Sequence, residues 1–318
     1  MAEPVRALIA PDKFKGTFSA HEVAELVAAG FGEGADTCPL ADGGEGTASL
    51  LVDVEGGEWI SARAPDALGR EVDCRYALLG DGTAVVEVAA ASGLWRLNPD
   101  ELDPIRADSA GTGVLAADAI ERGAERLLIG CGGSASSDGG VGALAHFDPK
   151  RIPTTCLCDT STSFVDAAAR FAPQKGAGPG QVIELAERLT ALLAELPHDP
   201  SRLPFTGAAG GLSGGLWAHG ARLVPGAREI LHRVGFDRRL AAAELVITGE
   251  GCLDASSWTG KVVGEVCERC RRAGVPVHVV SGALGDLPPA RLEALASHRR
   301  AADSAELRAA GAAVGGSG

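Results

Sequence analysis

Parallel α/β architecture is what this 318-residue sequence predicts. Two observations carry it, and one region departs from it. Short apolar runs alternate with helical stretches, and glycine-rich turns repeatedly follow the runs. One region, Glu58–Val88, breaks the alternation with hairpin-like segments. In parallel sheets the C-terminal strand edges carry the ligand site, so the turns that follow strands are where chemistry is to be sought.

The elements follow in chain order. Val5–Ala10 is a short apolar run closed by Pro11-Asp12, which marks a buried strand. Ser19 stands three residues before Glu22, a capping box that opens a helix through about Ala29. A second strand-like stretch ends at Leu40, and the apolar run Ala48–Val52 follows a glycine turn. Glu71–Leu79 and Thr83–Val88 are separated by Gly80-Asp81-Gly82, a hairpin signal. Gly111-Thr112-Gly113 opens a helix through Arg122, Arg126–Cys131 is a buried strand, and the glycine-rich stretch Gly132–Gly140 leads to Val141–His146. Glu184–Leu196 is helical, and Gly207–Gly215 is a glycine-rich turn leading to Leu216–Leu223. Leu245–Thr248 is a strand that Gly249-Glu250-Gly251 is expected to end. Lys261–Ala273 is a helix and Val275–Ser281 a strand followed by a turn at Gly282–Gly285. The tail after Ala310 is expected to fray.

Composition narrows the function. With 46% hydrophobic and 22% charged residues the chain is an ordinary globular protein with material for a sizeable core. The formal charge of −13 repels phosphate backbones and anionic lipid headgroups, so neither nucleic acid nor a membrane surface is an expected partner. No apolar run approaches the ~20 residues of a membrane span. The N-terminal residues MAEPVRALIAPDKF lack a basic start followed by an apolar stretch, which points to the cytoplasm. Eight cysteines include the close pairs Cys156/Cys158 and Cys267/Cys270. The first lacks zinc-ligand spacing and the second lies on an expected helix, so reduced thiols are the better reading.

Five glycine-rich loops carry charged or hydroxyl groups. Pro11–Thr17 puts Asp12, Lys13, Lys15 and Thr17 directly after a strand and beside a helix start, a setting for phosphate or carboxylate. Ala41–Thr47 flanks Gly43 and Gly44 with Asp42 and Glu45. Such acids hold Mg²⁺, take a proton from a hydroxyl, or simply cap a turn. Gly132–Gly140 offers backbone N–H groups and the hydroxyls of Ser134, Ser136 and Ser137 to a polyphosphate, with Asp138 near a metal. Gly207–Gly215 is rich in accessible backbone. Thr248–Asp254, continuing to Lys261, adds Glu250 and Asp254, and Phe171–Gly176 adds Lys175. Gly260-Lys261 is followed by Val262, so a Walker A loop fails, and no G-x-G-x-x-G spacing follows a strand. No G-x-S-x-G elbow is present either.

These loops, in order, resemble the bacterial glycerate kinase family of the glycerate 2-kinase type. The matching words are APDKFKG at Ala10–Gly16, ADGGEGT at Ala41–Thr47, EVAAASGL at Glu87–Leu94 and GTG at Gly111–Gly113. They continue with IGCGGSASSDGG at Ile129–Gly140, FAPQKGA at Phe171–Ala177, GAAGGLSGGL at Gly207–Leu216, and ITGEG with Asp254 and Gly260-Lys261. The resemblance spans roughly Val5 to Gly285. It implies a flavodoxin-like parallel-sheet domain (residues 1–54 and 245–318) plus a second, inserted α/β domain (residues 55–244), with the active site in the cleft between them. It also implies ATP-dependent phosphorylation of glycerate, usually to 2-phosphoglycerate, with Mg²⁺.

Carried onto this chain, the resemblance and the loop chemistry give each residue an expected role. Asp12, Lys15, Asp42 and Lys261 are catalytic, with Asp12 or Asp42 aligning the acceptor hydroxyl. Lys13, Lys175, Gly43 and Gly44 bind the small-molecule substrate. Gly132, Gly133, Ser134, Ser137, Gly210 and Gly211 bind the nucleotide, and Glu45, Asp138, Glu250 and Asp254 hold the metal. The chain departs from the family pattern at the short link DPKRIPTT (148–155), at TSTSFVDAAAR (160–170), and at Cys252, where an Arg is usual. These departures leave open two alternatives: a kinase for another small hydroxy acid or polyol, and a small-acid binding protein without transfer.

Overall fold

The computed structural model describes residues 5–316. The chain divides into two compact units. One takes the chain up to Asp42 and again from Ala227, and the other runs from Gly43 to Gly226.

The first unit holds a five-stranded, wholly parallel sheet. Along the whole chain the strands are β1 (Ala7–Ile9), β2 (Ala35–Thr37), β3 (Gly57–Pro65), β4 (Glu71–Leu79), β5 (Thr83–Glu87), β6 (Arg126–Gly130), β7 (Thr154–Cys158), β8 (Arg222–Pro225), β9 (Leu245–Leu253), β10 (Val277–Leu284) and β11 (Ser297–Arg300). In the first unit they lie in the order β2-β1-β9-β10-β11. Counted within the unit this is 2-1-3-4-5, the flavodoxin-like order, and its switch point falls between β1 and β9. Ala7 pairs with Leu245 and Ile9 with Ile247 across that point. Ile9, Ile247, Val280, Val23 and Val27 form the core with Leu307 and Val314.

The capping box forms as the sequence predicts. The Ser19 N–H donates to Glu22 at 2.7 Å, and the Glu22 N–H donates to Ser19 Oγ at 3.2 Å, opening the helix Ala20–Phe31. That helix runs two residues further than expected because its last turn packs on the C-terminal helix Ser304–Gly315. Through Gly315 the tail is therefore packed helix and not frayed, and the rest of that expectation, Ser317-Gly318, lies outside the described residues. A Cβ on Gly30 would fall 1.8 Å from the Arg308 carbonyl oxygen, and one on Gly311 would fall 2.1 Å from that of Val27. Only glycine allows the two backbones to touch, and Val314 is buried by the contact.

Two expected turns are strand instead. Gly249-Glu250-Gly251 lies inside β9 and Gly282-Ala283-Leu284 inside β10, paired through Ser281↔Glu250 and on to Leu284↔Leu253. The glycines serve close approach: a Cβ on Gly249 would meet the Val280 oxygen at 2.2 Å. In the same way β2 stops at Thr37, earlier than Leu40, although the Leu40 N–H still donates to the Pro11 oxygen at 2.9 Å.

The second unit holds a six-stranded sheet in the order β3-β4-β5-β6-β7-β8. β3, β4 and β5 form an antiparallel meander, and β5 to β8 are parallel. The alternating burial of β3 gives way to the continuous burial of Thr83–Val86 in β5, which lies inside the sheet. Tyr76, Leu115, Leu127, Ile129, Leu212 and Leu216 fill the core with four buried cysteines, Cys74, Cys131, Cys156 and Cys158. All eight cysteines are free thiols. The expected helix Glu184–Leu196 starts earlier, at Pro179, because Pro suits the first helical turn, and ends at Leu192. The segment Gly207–Gly215 is not a turn throughout. After a 3-10 turn at Ala208–Gly211 it becomes the helix Leu212–Ala218, whose glycine face lies against Gly139 and Phe164.

Gly30→Val is expected to lower stability by about 1–3 kcal/mol, the cost of overpacking a tight contact. Gly180→Ala, at an open helical position, leaves stability equal or slightly higher. Urea unfolding midpoints check both.

Candidate active site

In the first unit, three carboxylates collect at the C-terminal edge of the sheet. Asp12 follows β1, Asp42 follows β2, and Glu250 sits within β9. The Asp12 N–H donates to the Gly249 oxygen at 2.8 Å, which fixes the loop after β1 against β9. Asp12 is 6% exposed. Its Oδ1 accepts the Lys13 N–H at 2.7 Å, and Lys13 Nζ donates to Asp42 Oδ1 at 3.3 Å. Burial, and next the charge of Asp42, push the Asp12 carboxyl up to about 7, with Glu250 adding a little and Lys13 opposing. Glu250 is 7% exposed, and burial raises it to about 7 as well, opposed by Ser257 and Lys261. Its Oε1 is buried and accepts no hydrogen bond among the described residues.

Around this cluster, Asp254 Oδ1 accepts the N–H of Ser256 at 2.7 Å and its hydroxyl at 2.5 Å, capping a 3-10 turn. Lys261 Nζ donates to Ser256 Oγ at 2.9 Å, and Lys261 stands at the start of the helix Val262–Ala273. Lys15 is exposed one residue beyond the buried Phe14. The structure thus brings Asp12, Lys13, Asp42 and Glu250 together, with Asp254 and Lys261 next to them.

In the second unit the loop after β6 is built on glycine contacts. A Cβ on Gly132 would meet Gly44 Cα at 2.6 Å, and one on Gly130 would meet the Gly43 oxygen at 2.7 Å. Gly43 and Gly44 therefore lie directly on the end of β6, while Glu45 is exposed. Ser134 bridges Gly93, with the Leu94 N–H on the Gly133 oxygen at 2.8 Å and the Ala135 N–H on the Ser92 oxygen at 2.9 Å. The N–H groups of Gly132, Gly133, Ser137 and Asp138 donate to nothing among the described residues. Such a run of unbonded N–H groups after a parallel strand is a receptor for anionic oxygens.

Asp138 is spent on this loop. Its Oδ2 accepts Ser109 N–H at 2.9 Å, Ser109 Oγ–H at 2.7 Å and Gly142 N–H at 3.1 Å, and its Oδ1 accepts Gly140 N–H at 3.1 Å. Four donors tie the carboxylate to the loop, three of them on Oδ2. Gly210 and Gly211 lie against the same loop: a Cβ on Gly210 would fall 2.1 Å from the Ser136 oxygen, and Gly211 touches Phe164 and Gly139. Phe164, in the segment 160–170, is fully buried where Gly139, Gly211 and Gly214 converge. Lys175 is 3% exposed, with Nζ donating to the Ser136 oxygen and 3.5 Å from Ser137 Oγ.

The sequence profile of the Glycerate kinase family matches residues 7–152 and 145–308. The chain belongs to the glycerate kinase family. It is 33% identical over 328 residues to the glycerate 2-kinase of Escherichia coli (strain K12), covering 89% of this chain and 86% of that one. It is 34% identical over 327 residues to the glycerate kinase of Bacillus subtilis (strain 168), covering 88% and 85%. A crystal structure from Salmonella typhimurium LT2, described as a candidate glycerate kinase 2, superimposes with a TM-score of 0.82 at 31% identity over 99% of this chain and 98% of that one. As a glycerate kinase family member the protein is a phosphotransferase with an alcohol group as acceptor.

Sequence reasoning missed three residues that shape this kinase's loops. Ser109 braces Asp138, Glu87 Oε1 accepts the Ala48 N–H at 2.8 Å at the start of the helix Thr47–Glu55, and Asp159 approaches Gly132. Glu87 and Asp159 each directly follow or end a parallel strand, a signal that was readable. Ser109 has no local signal.

Because its acidity falls on folding, Asp12 holds its proton in the native state between about pH 4 and 7 while the unfolded chain does not. Its contribution favours the native state below about pH 4 and is lost as pH rises through about 7. Asp12→Asn is therefore expected to raise stability above pH 7 by more than about 1 kcal/mol relative to the parent, one pKa unit being worth about 1.4 kcal/mol. The gain shrinks towards pH 4. Paired denaturation curves at pH 4.5 and 8 check the difference.

Proposed function

We propose that this kinase transfers the γ-phosphoryl group of ATP to a hydroxyl of glycerate, giving 2-phosphoglycerate. The observation that carries the reading is Asp12: a buried carboxylate at the switch point of a flavodoxin-like sheet, with its acidity lowered to the neutral range. A base works best when its pKa lies near the working pH. The relatives named glycerate kinase and glycerate 2-kinase support the acceptor and the product.

In this reading Asp12 takes the proton from the attacking hydroxyl. Lys13, bonded to Asp42, holds the second carboxylate in place and lends positive charge beside it. Lys15 and Lys261 offer ammonium groups to the substrate carboxylate and the moving phosphoryl. The N–H groups of Gly132, Gly133 and Ser137 receive the nucleotide's phosphate oxygens, supported by Ser134 and by Gly210 and Gly211 beneath the loop. Gly43 and Gly44 shape the adjoining backbone surface.

Oxygen-only donors suit Mg²⁺, which is held by one or two carboxylates together with substrate phosphates. Asp42 and Glu250 fit that role best, since Glu250 Oε1 is buried and accepts no hydrogen bond among the described residues. Asp138 already accepts four hydrogen bonds from the chain and Asp254 Oδ1 accepts two, which leaves them the lesser candidates. When bound, the ion would neutralise phosphate charge. Alternation of acceptors within the family's chemistry, to another small hydroxy acid or polyol, is decided by the same assay.

Turnover with ATP, Mg²⁺ and D-glycerate, with the product located by ³¹P NMR, is the test. A signal on the 2-oxygen supports the proposal, whereas turnover of only a different hydroxy acid or polyol moves the acceptor. Asp12→Asn is expected to lower kcat by about 10²–10⁴-fold with KM for glycerate little changed, as for loss of a general base. An unchanged kcat would remove Asp12 from that role.

A further inference from the structure

The buried ammonium of Lys175 has a use that neither a surface lysine nor a substrate ligand would have. Its side chain is 3% exposed, and Nζ points at the carbonyl oxygen of Ser136 and reaches Ser137 Oγ at 3.5 Å. The Ser136 oxygen is crowded from another side by Gly210, where any Cβ would fall 2.1 Å from it. The carbonyl is thus gripped by a cation and admitted by a glycine.

A trans peptide points its C=O and N–H in opposite directions. Holding the Ser136 oxygen towards Lys175 turns the Ser137 N–H away from it. That N–H donates to nothing among the described residues. From this geometry we infer that Lys175 is a positioning residue: it sets the Ser136–Ser137 peptide so that the loop presents the Ser137 N–H to a phosphate oxygen of the nucleotide. The inference rests on the reading of Gly132–Asp138 as the nucleotide's phosphate cradle.

The surrounding charges fit a structural ammonium. Asp138 in the loop and Asp159 after β7 face Lys175 and favour its charged form, while Asp108, ahead of the helix Ala110–Glu121, faces Asp138. Burial outweighs them and brings Lys175 down to about 8. Its charge therefore weakens just above neutral pH, where a surface lysine would still be fully protonated. An amine that has lost its proton donates more weakly to a carbonyl than an ammonium does.

The test is steady-state kinetics of the full chain with ATP·Mg²⁺ and D-glycerate, for the parent, Lys175→Met and Lys175→Arg. Lys175→Met is expected to raise KM for ATP about tenfold or more, the loss of one charge-assisted hydrogen bond. KM for glycerate stays within about twofold. Lys175→Arg, which keeps a charged donor, recovers most of the ATP affinity. A rise in KM for glycerate alone would make Lys175 a ligand of the acceptor and overturn the inference, as would unchanged KM values for both substrates.

Should Lys175→Met fail to fold, the parent decides. Its KM for ATP is expected to climb above about pH 8 as Lys175 loses its proton, with the rise moved to higher pH in Lys175→Arg. A flat profile from pH 7 to 9.5 overturns the inference. A parent that turns over glycerate with a donor lacking phosphate anhydrides would instead remove the nucleotide reading itself, and this inference with it.

Discussion

Parallel pairing of β1 with β9 brings together residues more than two hundred positions apart, and the chemistry of the first unit hangs on it. The Asp12 N–H reaches the Gly249 oxygen only because Ala7–Ile9 already lie in register with Leu245–Ile247. With strand order reversing there, the loops after β1 and β2 and the middle of β9 deliver Asp12, Asp42 and Glu250 to one edge. A loop that merely followed a strand would leave these acids solvated. Packed between strands they lose water, and two of them shift towards neutral acidity.

Gathering like charges in a dry place costs stability, and the fold offsets only part of that cost. Lys13 lies within 3.7 Å of Asp12 and 3.3 Å of Asp42, while Glu250 Oε1 has no donor among the described residues. Unsatisfied buried polar atoms are uncommon and concentrate where function requires them. The burial that lifts the Asp12 carboxyl towards neutrality is also what makes its charged form a burden to the folded state.

The second unit solves a different problem, which is to expose backbone N–H groups without letting the loop collapse. Glycines do this by contact more than by flexibility. Gly130, Gly132 and Gly210 each stand where a Cβ would strike another backbone. Asp138, with four bonds, and Lys175, on the Ser136 carbonyl, then fix the loop from behind. Phe164, fully buried, closes the packing. Its ring supports the loop from the point where Gly139, Gly211 and Gly214 meet.

How much of this was legible follows from the range of each interaction. The sequence determined the parallel α/β class, the Ser19–Glu22 capping box, the hairpin at Gly80-Asp81-Gly82 and the loops that carry the acids and lysines. Each depends on neighbours within a few residues or on hydropathy along one element. It also marked Asp12 and Lys175 as interesting without saying what they touch. Tertiary structure alone decided that Gly249 and Gly282 lie inside strands, that Ser304–Gly315 is a packed helix, and that Asp138 braces a loop through Ser109. Glycine signals a turn when it stands alone and a close approach when another backbone arrives. Which of these holds depends on a partner 30 to nearly 300 residues away, and nothing local to the glycine encodes it.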